Sequence, residues 1–185
     1  RNRKDFLNRL ESFKESWRKD GIPFGPEHRG IRFAMEQRKD SSFVSVSGEI
    51  TKAALVYTTN GVDPDSTSAI YTNAIPFNSN MEVRANWVRD GHLLFKEPTK
   101  EKFSFHTGVK STVTWNEAPA TKYPAEGLNS LVNGMKGDMT VSKRWLGFNG
   151  TDADFELEWN DAQWISTVDI RFLHAPKSWI FLPDS

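Results

Sequence analysis

From Ile31 onward the apolar residues recur at every second position, and that alternation limits the fold more than any other feature of the chain. In MEVRANWV, Met81, Val83, Ala85 and Trp87 fall on one face of an extended strand, because successive side chains point to opposite sides of a pleated backbone. IRFAME and SFVSVSG repeat the pattern, and EKFSFHTG adds another strand before Gly108. Asn60-Gly61, Asp63-Pro64 and Asp90-Gly91 punctuate these runs with residues suited to tight turns. Residues 30–109 are therefore expected to form a small all-β sandwich.

The opening twenty residues follow a different period. Phe6, Leu10, Phe13 and Trp17 make one apolar stripe at helical spacing, and Gly21, Pro23 and Pro26 form the stop signal. A helix of that length is marginal in water by itself, so the stripe needs a packing partner. Pro119, Pro124 and Gly127 interrupt the pattern again and mark a second boundary. Beyond it, DADFELEWND alternates Phe155, Leu157 and Trp159 against acids, and ISTVDIRFLH alternates Val168, Ile170 and Phe172 against Thr167, Asp169 and Arg171. Two or three strands cannot close a sheet structure by themselves, so this second β unit is expected to be part of something larger. The chain starts at Arg1 without a secretory apolar region and stops just after SWIFLP, which reads as a piece of a longer protein.

Composition removes several function classes. Lys and Arg number 24 and Asp and Glu number 24, so no basic surface for nucleic acid or for an anionic membrane is expected. No run of about 18 apolar residues exists, so no transmembrane segment is expected. Cys is absent, which excludes disulfides, thiolate nucleophiles and Cys-ligated metals. His28, His92, His106 and His174 have no second His at helical spacing, and no Gly-x-Ser-x-Gly elbow, phosphate-binding glycine loop or dinucleotide fingerprint occurs.

Carboxylates are the remaining route to chemistry, since glycoside hydrolysis runs on a pair of them. Asp63 and Asp65 lie in a turn sequence, Asp63 directly before Pro64, where Asp is an ordinary turn former. Asp152 and Asp154 precede Glu156 and Glu158, which fall on the face of a strand opposite Phe155 and Leu157. A solvated strand face lacks the desolvation that a catalytic acid requires, so no catalytic residue is assigned. NGMKGD, from Asn133 to Asp138, places oxygen donors near glycines as loop calcium sites do, without the full Asp-x-Asp-x-Asp-Gly pattern. No cofactor is expected other than calcium, with Asn133 and Asp138 as its candidate ligands. Asn149-Gly150-Thr151 is formally an N-glycosylation sequon. Trp145, Phe148, Trp164 and Trp179 are candidate stacking surfaces for sugars, against the simpler reading that they fill a core.

Two stretches resemble known families. VYTTNGVDPDSTSAIYTNAIPFNSNMEVRANWVRDG resembles the small sandwich near the C-terminus of chitobiases and related β-N-acetylhexosaminidases, in Tyr57, Thr58, Asn60, Gly61, Pro64, Tyr71, Ile75 and Val83-Arg84-Ala85. The second, LNSLVNGMKG with WLGFNGTDADFELEW and SWIFLP, resembles the first half of a discoidin-type (coagulation factor 5/8 C-like) domain. Its signature residues are Trp145, Gly147, Phe148, Gly150, Asp152 and Trp179 to Pro183, with Asn133-Gly134 where that family usually has Asp-Gly. The helix is similar to the last barrel helix of family 20 β-N-acetylhexosaminidases. Those enzymes use an adjacent Asp-Glu pair, and no Asp-Glu dipeptide occurs here.

The resemblances imply a mainly β chain. Residues 1–29 would be a helix from an upstream catalytic barrel, 30–109 an immunoglobulin-like or fibronectin-like sandwich, and 110–185 a partial discoidin-type jelly roll. They further imply an inactive C-terminal accessory region of an exported β-N-acetylhexosaminidase from a Bacteroidetes-type bacterium, in the periplasm, at the cell surface or secreted. Its partners would be the upstream catalytic domain of the same chain and glycans, with Trp145, Phe148, His174 and Trp179 as the candidate carbohydrate-binding set. An α-L-fucosidase with the same tail, or an adhesion module, is the alternative.

Overall fold

The computed structural model describes Asp5, Arg9, Leu10, Ser12 to Lys14, Ser16, and residues 30–39, 41–50, 52–138 and 144–182. The fold is mainly β. In the opening segment every described residue is helical, whereas Phe6 and Trp17 of the expected stripe, the Gly21–Pro26 stop signal and His28 lie outside the described residues.

The alternating runs form two facing antiparallel sheets. The first has the order β1-β2-β5, from β1 (Arg32–Arg38), β2 (Ser41–Ser47) and β5 (Ile75–Pro76). In the second, β6 (Met81–Arg89) is central. Along one side it pairs with β3 (Ala54–Thr58), which carries β4 (Ala69–Ile70) beyond it. Along the other side β6 pairs with both β7 (His92–Leu93) and β8 (Thr99–Phe103). Val83, Ala85 and Trp87 of β6 are buried, as the period of two requires, against Phe33, Val44 and Val46 of the first sheet, with Leu55 and Phe103 beside them. Each fully buried aliphatic or aromatic side chain stabilises the fold by roughly 1.5–3 kcal/mol relative to exposure, so the facing layers supply the driving force.

Two buried polar side chains of this core are satisfied by the backbone. Asn86 is buried and donates from Nδ2 to the carbonyl of Phe95 at 2.8 Å, while its Oδ1 accepts the Trp87 amide at 2.8 Å. The Ser42 hydroxyl donates to the Val109 carbonyl at 3.0 Å. One end of the sandwich is aromatic: Phe77 meets Phe103 and Phe105 edge to face at 5.7 Å and 5.4 Å, a favourable quadrupole arrangement.

The opening of the second unit differs from the sequence expectation. The segment after Val109, read as a break, contains strand β9 (Thr112–Trp115), which pairs antiparallel with β10 (Phe155–Glu158). In contrast, ISTVDIRFLH, expected to be a strand, has no strand between Asp161 and His174, and Asp161 through Phe172 are exposed. Alternation fixes a strand only where a neighbour satisfies the backbone and covers the apolar face. For this run the described residues provide neither.

Candidate functional site

The candidate carbohydrate surface belongs to residues 110–182, which pack on the sandwich at Asn133-Gly134. Gly134 has φ +76°, and a Cβ there would stand 2.9 Å from both the Phe77 ring and the Ser104 carbonyl. Only glycine combines that left-handed backbone with so close an approach. The Gly134 carbonyl accepts the Ser104 amide at 2.8 Å. Asn133 is buried, and its Oδ1 accepts the Met135 amide at 2.9 Å. Of the two calcium candidates, Asn133 is thus engaged in a turn, and the Asp138 carbonyl accepts Trp145 Nε1 at 3.0 Å. Among the described residues no group of three or more His, Asp or Glu side chains could hold a metal ion.

Trp145 and Phe148 flank Gly147 but pack on different partners. The Trp145 indole lies against Gly137, where a Cβ would come within 2.4 Å of the ring. Phe148 rests on Trp115, centroids 5.8 Å apart, and Phe155 of β10 meets the same indole at 5.2 Å. Trp115 is held in turn by a hydrogen bond from Nε1 to the Leu128 carbonyl at 3.0 Å. Both Trp145 and Phe148 are half-buried. The loop beneath them is tied by the Ala120 amide to the Gly147 carbonyl at 2.8 Å and the Gly147 amide to the Tyr123 carbonyl at 3.1 Å.

His174 and Trp179 lie elsewhere in the sequence, on either side of a short bridge between Ala175 and Ile180. His174 is exposed, and Trp179 is 86% exposed in the left-handed region with φ 59°. Trp164 is 95% exposed. Trp159, by contrast, donates from Nε1 to the Thr107 carbonyl at 3.0 Å. Of the aromatic candidates, Trp164 and Trp179 therefore present open ring faces, and Trp145 and Phe148 present partial ones.

Sequence reasoning does not pick out Trp115, Gly137 and Arg144, which fix this surface. Arg144 donates from Nη1 to Glu101 Oε1 of β8 at 2.7 Å, and its Nη2 pairs with the other oxygen of the same carboxylate, a bidentate geometry. Glu101 and neighbouring acids hold the Arg144 guanidinium above its ordinary value, chiefly through the Glu101 hydrogen bonds. No local pattern signals a pair separated by 43 residues.

The acids are structural where they are bound. Asp63 accepts from Arg84 at 2.5 Å, and Glu82 accepts from the same guanidinium at 2.7 Å. Asp65 Oδ1 accepts the Thr67 amide and hydroxyl, both at 2.8 Å, and the Ser68 hydroxyl at 3.2 Å. Those bonds hold the Asp65 carboxyl below its ordinary value. Glu156 and Glu158 are exposed on β10. An open depression of about 440 Å³ is lined by Glu117, Thr151, Asp152, Ala153 and Asp154. Asp154 Oδ1 there accepts from the Asn116 carboxamide at 3.1 Å.

No helix among the described residues is long and apolar enough to cross a membrane. No curated protein matches the chain. Residues 36–93 match the family model of the Chitobiase/beta-hexosaminidase C-terminal domain, a span that runs from within β1 to β7. Over that span the chain is similar to a chitobiase/hexosaminidase C-terminal domain.

Proposed function

We propose that the chain is the non-catalytic C-terminal accessory region of an exported β-N-acetylhexosaminidase, an enzyme that removes terminal N-acetylhexosamine from glycans. The match over residues 36–93 carries this reading. It is supported by the carboxylates of that span: Asp63 and Asp65 are committed to Arg84 and to the Thr67–Ser68 turn. The sandwich serves as spacer and packing partner for a catalytic domain elsewhere in the same polypeptide. Residues 110–185 complete the accessory region as a discoidin-like unit. The protein acts in the periplasm, at the cell surface or outside the cell.

Turnover of a chromogenic N-acetylglucosaminide by the full gene product, and none by the 185-residue chain, is the expected result. Turnover by the 185-residue chain would overturn the accessory assignment. Turnover of a chromogenic fucoside instead would move the parent to the α-L-fucosidases.

A second reading, favoured by the exposure of Trp164 and Trp179, is that the region also holds glycans by stacking. Trp145, Phe148 and His174 would complete the contacts, and calcium at Asn133 and Asp138 would brace the loop. Glycan-array binding that is lost in Trp179→Ala and weakened by a chelator is the expected outcome. An array without signal, or binding unchanged in Trp179→Ala and Trp145→Ala, would reject it.

A further inference from the structure

The chain contains three Asn-Gly pairs, at Asn60-Gly61, Asn133-Gly134 and Asn149-Gly150. Any such pair is chemically poised, because glycine has no Cβ to shield its own amide nitrogen from the preceding carboxamide. Attack needs that nitrogen to reach the Asn Cγ, which requires a backbone and a side chain both able to move. The fold treats the three pairs very differently.

Asn60 is held at both ends. Its Oδ1 accepts the Val62 amide at 3.1 Å, and its backbone bridges to Glu82 of β6. Asn133 is 7% exposed, its Oδ1 accepts the Met135 amide at 2.9 Å, and Gly134 is wedged against Phe77 with its carbonyl bonded to the Ser104 amide. Asn149 and Gly150 are exposed, in the loop between Leu146 and β10. Nothing lies within 4 Å of the position a Cβ would take on Gly150. Among the described residues no hydrogen bond restrains the Asn149 carboxamide.

We propose that Asn149 is a spontaneous modification site, converting to a mixture of aspartate and isoaspartate in the folded protein while Asn60 and Asn133 persist. The Gly150 amide nitrogen bonds to Asn149 Cγ, the Cγ–Nδ2 bond breaks, and ammonia leaves with the former Gly150 amide proton. Solvent water then opens the cyclic imide at either carbonyl, returning the proton to nitrogen and leaving a carboxylate. Opening at Cγ gives aspartate; opening at the main-chain carbonyl gives isoaspartate, with one extra carbon in the backbone. That carbon enters directly after Phe148, whose ring rests on Trp115. The new carboxylate adds negative charge two residues before Thr151, which lines the depression together with Glu117, Asp152 and Asp154.

The test is incubation of the whole chain in ¹⁸O-labelled water at mildly alkaline pH, followed by peptide mapping with tandem mass spectrometry. Label incorporation separates conversion in the tube from conversion before purification. Residue 149 is expected to take up label first, with both products present. Asn60 and Asn133 should lag at least about tenfold, the ratio that a local opening free energy of about 1.4 kcal/mol imposes. In urea the three rates should converge, because the restraint on Asn60 and Asn133 is the fold itself. Asn149→Gln should abolish label at 149 and leave the other two sites unchanged. Equal rates in the folded chain, or conversion led by Asn60 or Asn133, would overturn the proposal.

Discussion

Asp65 illustrates how a suspected reactive acid becomes a turn fastener once its neighbours are known. Its Oδ1 receives the Thr67 amide, the Thr67 hydroxyl and the Ser68 hydroxyl, and these bonds favour the charged carboxylate. A carboxyl lowered in the folded state contributes stability that is present above the ordinary Asp value and is lost as pH falls through the folded one. Asp65→Ala should therefore lower the melting temperature at neutral pH. The gap to the parent should close as pH falls below about 4; thermal scans across pH check this. A gap that stays constant would show that the charged form has no special role. The same stretch shows what is legible locally. Asn60-Gly61 and Asp63-Pro64 announce a turn, and Gly61 adopts φ +79°. The grip of Arg84 on Asp63, 21 residues away, leaves no mark in the turn sequence.

At the scale of elements, the strands whose period of two spans a two-sided core are the ones read correctly. β6 is the clearest case, because Val83, Ala85 and Trp87 find a facing sheet. ISTVDIRFLH carries the same alternation and forms no strand, since among the described residues no second strand completes its backbone hydrogen bonds. Period reports a surface that could be half-covered; whether a cover exists is non-local. The aromatic end of the sandwich is a second non-local result, since Phe77 is brought against Phe103 and Phe105 from a segment more than twenty residues away. Phe77 is 2% exposed, and its removal leaves a cavity among rigid neighbours. Phe77→Ala should cost about 3–5 kcal/mol, read as a shifted midpoint in urea denaturation. A loss under about 1 kcal/mol would mean that Gly134 and the other rings collapse into the gap.

Across the whole molecule, the Glu101–Arg144 pair joins a sandwich strand to the loop that carries Trp145 and Phe148. The Glu101 side chain is 10% exposed and that of Arg144 30%, so the pair is only partly screened by water. Truncating one partner leaves a charge short of its hydrogen bonds. Glu101→Ala should cost about 1–2 kcal/mol, the lower part of the range for charged hydrogen bonds given the solvent access of Arg144. Limited proteolysis should then cut faster within residues 110–182 while residues 30–109 resist. Uniform acceleration over both regions would argue that the pair stabilises the entire chain instead. The candidate sugar surface was legible as a set of aromatic residues, yet which of them present open faces depends on Gly137 and Trp115, far from them in pattern if not in sequence.

The close approach of Gly134 to Phe77 has a consequence for where this polypeptide can be divided. The span recognised by the family model, residues 36–93, contains Phe77 but not Phe103 and Gly134, which pack on its ring, nor Phe33 and Val109 of the same core. An excised piece with those limits would open its hydrophobic interior on one side. The smallest fragment that folds cooperatively is thus longer than the stretch that carries the recognisable signature, and it reaches at least to the residues that close over Phe77.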